Sequence, residues 1–493
     1  MSAAAALVAA AALAGCGTTT YFAGRALPRS GLANRVVIAI QNPSALSTGT
    51  LEIVDAYYDI RCKYNADSCS GAAFAVSGYS GNLPISIQSM PEELTGAVYS
   101  SGDGSFTQIN YAAEKTIGAV SGLNGASSSV FITRNQTYIF AASQTSHALT
   151  IVDKSGVNAG SYPLNLPGVY RVSVNPGGSV ALAFVQNSNY AYYPVKLTAA
   201  QTQAYSGGPS TWPKGAQDCE PQNAPGWCLL QALDPNGNPL VFDRPTKAVF
   251  SADGGTAYVL NCGPECGGTT ASITPIPVAP MIYLIGQGSG TMPATTTPSA
   301  QCGTVNLAAG CIPILGGASN ALVDSSTMYV VGQQQMTDKC SGGALCWGGH
   351  LTVVNLQTNA VATSTTAVPN PVSISDGAPG AVSRMIEADN NTLWIGMQQC
   401  NSGERANKSL PDGCLTMVNT TNNAVTLMPY NGSATGIAAI TGLNKIYAVE
   451  DGQVYIYSTV DGSAINNQYV TVTGTAYDVA YMDALTDSNN TVY

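Results

Sequence analysis

Charge is scarce in this chain. Asp, Glu, Lys and Arg make up only 9% of its 493 residues, against about 25% in ordinary soluble proteins. The 18 basic residues are scattered singly and the net charge is −10, so there is no cationic stripe to displace nucleic-acid counterions or to hold an anionic membrane surface. Histidine occurs only as His147 and His350, which leaves almost no material for a His-based triad or a multi-His metal site. No Gly-x-Ser-x-Gly elbow, phosphate-cradling loop or CxxCH haem attachment is present. Asp389, Asn390 and Asn391 read as a turn, without the ligand spacing of a calcium loop. No catalytic residue, metal or cofactor is therefore expected. Helix-forming blocks of Glu, Lys and Leu are also missing. Beyond the N-terminus no apolar run approaches the roughly 18–20 residues of a spanning helix.

What fills the chain is 45% hydrophobic residues with 52 Gly and 25 Tyr, the makeup of a turn-rich all-β protein. Internal repetition is the strongest signal. In Ala248-Val-Phe-Ser-Ala-Asp-Gly-Gly-Thr-Ala-Tyr-Val-Leu-Asn261 an apolar strand enters a Ser-x-Asp-Gly turn and a second strand leaves it. Glycine supplies positive φ in such a turn, and Asp253 can accept from its own backbone. The shape recurs at 172–185, 385–395 and, more weakly, 322–331. Second hairpins follow, at 148–157, 351–362 and 415–425, with the period-2 alternation of strand pairs.

These residues resemble the YVTN-type β-propeller repeat of microbial surface proteins, across most of residues 34–485. The resemblance implies a single β-propeller of four-stranded antiparallel blades. Eight units are counted, with seven as the alternative, and second strands fall near Val36, Ala97, Tyr138, Ala181, Tyr258, Tyr329, Leu393 and Ile446. The first unit lacks an inner strand. Tyr477–Met482 is expected to supply it, closing the ring by joining the two termini in one blade and so removing unpaired edges. The tail from Asp483 to Tyr493 is then surplus to closure.

At the N-terminus an Ala-rich run, Ala3 to Leu13, ends in Leu13-Ala14-Gly15-Cys16. This resembles the lipobox of bacterial lipoproteins, although Met1-Ser2 lacks the usual basic residues. The resemblance implies a signal peptide over 1–15, lipidation at Cys16, a tether over 16–33 and the propeller over 34–493. It also implies export to the cell envelope, at the outer membrane or cell surface, with membrane contact through the lipid alone.

Twelve further cysteines form six close couples in sequence order: Cys62 and Cys69, Cys219 and Cys228, Cys262 and Cys266, Cys302 and Cys311, Cys340 and Cys346, Cys400 and Cys414. Each couple is read as lying in a loop. Neighbour pairing closes the shortest loops, although sequence alone does not fix connectivity. An even count fits an oxidising compartment. The Cys262-Gly-Pro-Glu-Cys266 spacing could hold two zinc ligands, but structural zinc needs four and no second pair lies nearby.

Blade register sets the usable face. Turns between strands one and two, and three and four, are short and share one face. Links between strands two and three share the other with the blade-to-blade links. There the insertions gather: Asn261 to Ala271, Gly332 to His350 and Gln398 to Cys414. The function expected is a non-enzymatic binding or scaffold module acting through this stapled face on a protein or glycan of the envelope. One alternative is a propeller-type periplasmic enzyme or enzyme subunit, lactonase-like or dehydrogenase-associated, using channel residues such as Arg171 and Arg384. The other is a self-assembling surface or filament subunit, in which Asn490–Tyr493 adds to a neighbour's sheet edge.

Overall fold

The computed structural model describes residues 20–21, 25–26, 28–42, 47–61, 74–155, 160–221, 226–233, 237–278, 311–336, 346–374, 381–400, 412–429, 431–465 and 469–487. Eight antiparallel sheets of three to five strands form an eight-bladed β-propeller, accompanied by a two-stranded ribbon of Thr20–Tyr21 and Arg25–Ala26. All eight residues expected on second strands lie on them.

The repeated turns explain the hairpins. Asp253 accepts from Gly255 N at 2.9 Å, Ser251 Oγ donates to the same carboxylate at 2.5 Å, and Gly254 turns the chain at φ 69°. Asn175 does the same work one blade earlier, accepting from Ser179 N and Val180 N. The strands are buried on both faces. In Arg35–Gln41 the first six residues are buried, because each blade is pressed between two others. The apolar core is accordingly divided into eight wedges, each built from two adjacent blades. Ile38, Tyr447 and Val479 pack between blades eight and one, and Val98 and Ala480 between two and one.

The ring closes as the sequence predicts. Thr475–Tyr481 is the inner strand of the first blade and pairs antiparallel with Arg35–Gln41. Asp483, however, is not surplus to closure. It is 1% exposed and grips Arg35, itself 2% exposed, through both oxygens: Nη2 at 2.6 Å and Nε at 3.0 Å. Arg35 Nη1 also meets Glu114 of the second blade at 3.0 Å. Glu114 in turn accepts from Ser30 N at 2.8 Å, so the end of the segment read as a tether packs against the ring.

Inner strands of different blades share no backbone ladder, and side chains stitch them instead. Ile87 N donates to Asp478, Val172 N to Ser129 Oγ and Ala248 N to Ser173 Oγ. Ser383 Oγ donates to Ala434 O.

Blade details depart from a uniform four strands. The fourth blade has five, because Ala216–Glu220 folds back along Trp227–Gln231; the sixth also has five, because Val372–Ser373 pairs beside Ala360–Val361 on the same strand; and the eighth shows three among the described residues. Cys219 and Cys228 face each other across that added hairpin rather than sharing a loop. The insertion after Gly332 is in part a taller hairpin, since Thr327–Met336 pairs with Cys346–Asn355 out to Met336 and Cys346.

Candidate functional site

Inner strands run down the central channel; the third shifts register between Ala126 and Val130, and six others carry a one-residue shift near their start. The shifts fall between Pro84 and Ser86, Val169 and Arg171, Pro245 and Lys247, Val382 and Arg384, Ala434 and Gly436, and opposite Ala39 and Ile40, where Asp478 follows. A bulge re-aims the side chain beside it. The residues just past the bulge are Asp478, Ser86, Arg171, Lys247, Arg384 and Gly436, with Asn320 opening the sixth inner strand. Three of these seven are cations, and they are confined to the fourth, fifth and seventh blades. At Gly436 a Cβ would come within 2.6 Å of Asp478 Oδ1, so no side chain fits beside that carboxylate.

The cations are close enough to oppose one another's charge. Burial lowers the Lys247 amine well below its ordinary value, and the Arg171 and Arg384 charges push it further. Lys247 Nζ donates to Asn320 Oδ1 at 2.8 Å. Burial and Arg384 also press on Arg171, but a guanidinium stays protonated in proteins. Its Cζ lies 5.7 Å from the centre of the Tyr170 ring. Among the described residues no carboxylate pairs with Arg171.

Above these residues, on the long-loop face, opens a pocket of about 440 Å³ whose walls include Tyr170, Arg171, Asn187, Ser188, Arg244 and Glu265. Asn187 and Ser188 come from a link between second and third strands, as does Glu265, while Arg244 precedes an inner strand. This is the face that the blade register marks out.

The Glu265 wall is a built structure. Gly263–Cys266 is a 3-10 turn closed by the Cys262–Cys266 disulfide. Asp243 holds the rest of the loop, accepting from Thr269 N and Thr270 N at 2.9 and 2.7 Å. Gly263 sits at φ 64°, and a Cβ there would meet Ala271 N at 2.2 Å. Glu265 accepts from Gln333 N at 2.9 Å, Gln333 Nε2 at 3.1 Å and the Ser319 hydroxyl. Burial outweighs those bonds and pushes its carboxyl up to about 7. Arg244 closes the rim, donating to Asn187 O and, at 3.4 Å, to Gly267 O.

Arg171 and Arg384 thus sit on the inner strands of the fourth and seventh blades, near enough for one charge to act on the other. Lys247 and Glu265 were not singled out as site residues. The signal available for Lys247 was its place, third in an inner strand like Arg171. His147 stands in an exposed turn at φ 55°, away from His350, whose Nδ1 lies 3.0 Å from Gly348 O. Glu92 and Glu93 form ion pairs with Arg134. No group of three metal-ligating side chains occurs among the described residues.

The disulfides Cys219–Cys228 and Cys262–Cys266 are formed. Cys311 and Cys414 are also disulfide-bonded, with partner side chains outside the described residues. Cys16, Cys62, Cys69, Cys302 and Cys340 fall outside them too, as do the side chains of Cys346 and Cys400 and the segment Asn490–Tyr493. These bonds fit an oxidising, exported environment. Among the described residues no helix is long and apolar enough to cross a membrane.

No family model matches the chain, and no curated protein matches it. Among solved structures it is similar to the dihydro-heme d1 dehydrogenase NirN, at 11% identity and TM-score 0.48, covering 94% of this chain and 79% of that one. It is similar to apo AztD from Citrobacter koseri, at 11% identity and TM-score 0.47, covering 91% and 97%. The periplasmic gluconolactonase PpgL of Pseudomonas aeruginosa aligns at 11% identity and TM-score 0.42, covering 91% and 98%. Likeness of this degree carries no argument about activity or ligand.

Proposed function

We propose that this chain is a cell-envelope lipoprotein, lipidated at Cys16, whose YVTN-type propeller binds a small anionic ligand without transforming it. The ligand sits in the pocket at the loop-face mouth of the channel. One observation carries the reading: Arg171 lines that pocket, half-buried, with no carboxylate paired to it among the described residues. A charge partly withdrawn from water without a counter-charge is destabilised, and an anionic ligand supplies one. Arg384 adds positive potential behind it. The pocket wall offers no thiol nucleophile, since Cys266 is in a disulfide. Export and anchoring rest on the apolar run before Cys16 and on the disulfides. Partners at the envelope are reached through the same face.

The test is thermal unfolding against carboxylates, phosphate and sulfate, with sodium chloride at matched ionic strength. Unfolding entropy scales to about 1 kcal/mol/K for a ring of this size, so a ligand at a hundred times its Kd raises Tm by about 3 °C. At least one anion does so in the wild type and not in R171Q. If chloride alone reproduces every shift, the reading fails.

A further inference from the structure

The pocket wall carries two half-buried ionisable groups of opposite kind, and the protein leaves them apart. Arg171 lies on the inner strand of the fourth blade, and Glu265 on the disulfide-closed turn of the fifth. They are not paired with each other, and among the described residues neither has another ion-pair partner. Three hydrogen bonds occupy Glu265, whereas a carboxylate accepts about four. One acceptor site is left.

We propose that the ligand is a zwitterion, its anionic group held by Arg171 and its ammonium by Glu265 across the mouth of the channel. This rests on the anion reading above and names the chemical class. A simple anion would answer Arg171 and leave Glu265 as it stands. A molecule carrying both charges answers both, and the two anchors on separate blades fix its direction. Arg244 is occupied by the carbonyls of Asn187 and Gly267, so it bounds the site rather than competing for the carboxylate.

Proton linkage separates the two ligand types by sign. Around Glu265 the titratable and charged groups are Arg171 and Arg244 in the pocket wall, Lys247 and Arg384 deeper in the channel, and Asp243 beneath the loop. His350 pairs with Gly332, next to Gln333. With its carboxyl near 7, Glu265 is partly protonated at neutral pH. A bound ammonium favours the carboxylate and expels the proton. A bound anion without an amine favours the neutral acid and takes a proton up.

The experiment is isothermal titration calorimetry at pH 7, in two buffers of different ionisation heat. The probes are ω-amino acids from glycine to 6-aminohexanoate, with butyrate, butylamine and phosphate beside them. One amino acid should bind at least tenfold more tightly than butyrate or butylamine and release a fraction of a proton. R171Q should weaken it at least tenfold, and E265Q should reduce it to the level of butyrate and abolish the proton release. The wild-type comparisons hold whatever the variants do to folding. If butyrate binds as tightly as every amino acid, or binding takes protons up, the zwitterion is refuted. Butyrate or phosphate binding that still depends on Arg171 would leave the anion reading standing. If no probe depends on Arg171, both fall.

Discussion

Replacing Asp483 by alanine removes the anion that locks the two ends of the chain together. Its carboxylate meets Arg35 through two contacts of 2.6 and 3.0 Å and also accepts from Arg35 N at 2.7 Å. Arg35 and Asp483 are 2% and 1% exposed, and Glu114, at 5%, is the remaining counter-charge. Breaking a buried pair on one side costs about 3–5 kcal/mol, because the partner stays buried without full compensation. With an unfolding entropy of about 1 kcal/mol/K, Tm should fall by about 3–5 °C. The loss should also be local. In hydrogen exchange, amides of Thr475–Tyr481 should exchange faster in D483A than in the wild type, while Thr256–Asn261, on the far side of the ring, should not change. A double-mutant cycle with R35M should return a coupling of at least 2 kcal/mol. A loss under 1 kcal/mol, or uniform exchange across all blades, would refute the claim that this network closes the ring.

Two further perturbations probe the pocket wall. Burial raises the Glu265 carboxyl from 4.5 to about 7, so the folded state binds the proton more tightly than the unfolded one. That stabilisation is complete below about pH 4.5 and is lost as pH rises through about 7. E265Q does not titrate there, so its stability relative to the wild type should rise between pH 4.5 and 8, by up to about 3 kcal/mol. Urea unfolding across that range measures it, and a flat difference contradicts the stated environment. G263A forces a side chain into a left-handed position against Ala271 N. It should cost about 1–3 kcal/mol and admit a protease to residues 261–271, whereas unchanged melting and cleavage would show that the turn is not held as described.

The blades were legible because their information is local. Ser251-Ala-Asp253-Gly254 states its turn within four residues, and the same grammar recurs around the ring. The closing strand was legible because Tyr477–Met482 completes a unit otherwise one strand short. Asp483 was misread because its partner, Arg35, is 448 residues away in the chain, and no local pattern announces such a contact. The added hairpin at Ala216–Glu220 escaped for a related reason: a strand of Ala-Gln-Asp-Cys-Glu has no alternation of its own and is held by its disulfide and its partner. In the channel, Arg171 and Arg384 could be suspected as isolated charges on apolar strands. Lys247 needed the bulge register to place it, and Glu265 was read only as spacing between two cysteines.

Closure of the ring sets the order of events in synthesis. Arg35–Gln41 leaves the ribosome about 440 residues ahead of its inner neighbour, Thr475–Tyr481. At about 5–20 residues per second, the first strand waits roughly half a minute or more for its partner. Until then the apolar faces that Val479 and Ala480 cover in the closed ring lack that cover. Folding to the closed ring is therefore tied to the arrival of Thr475–Tyr481, however early the other blades form.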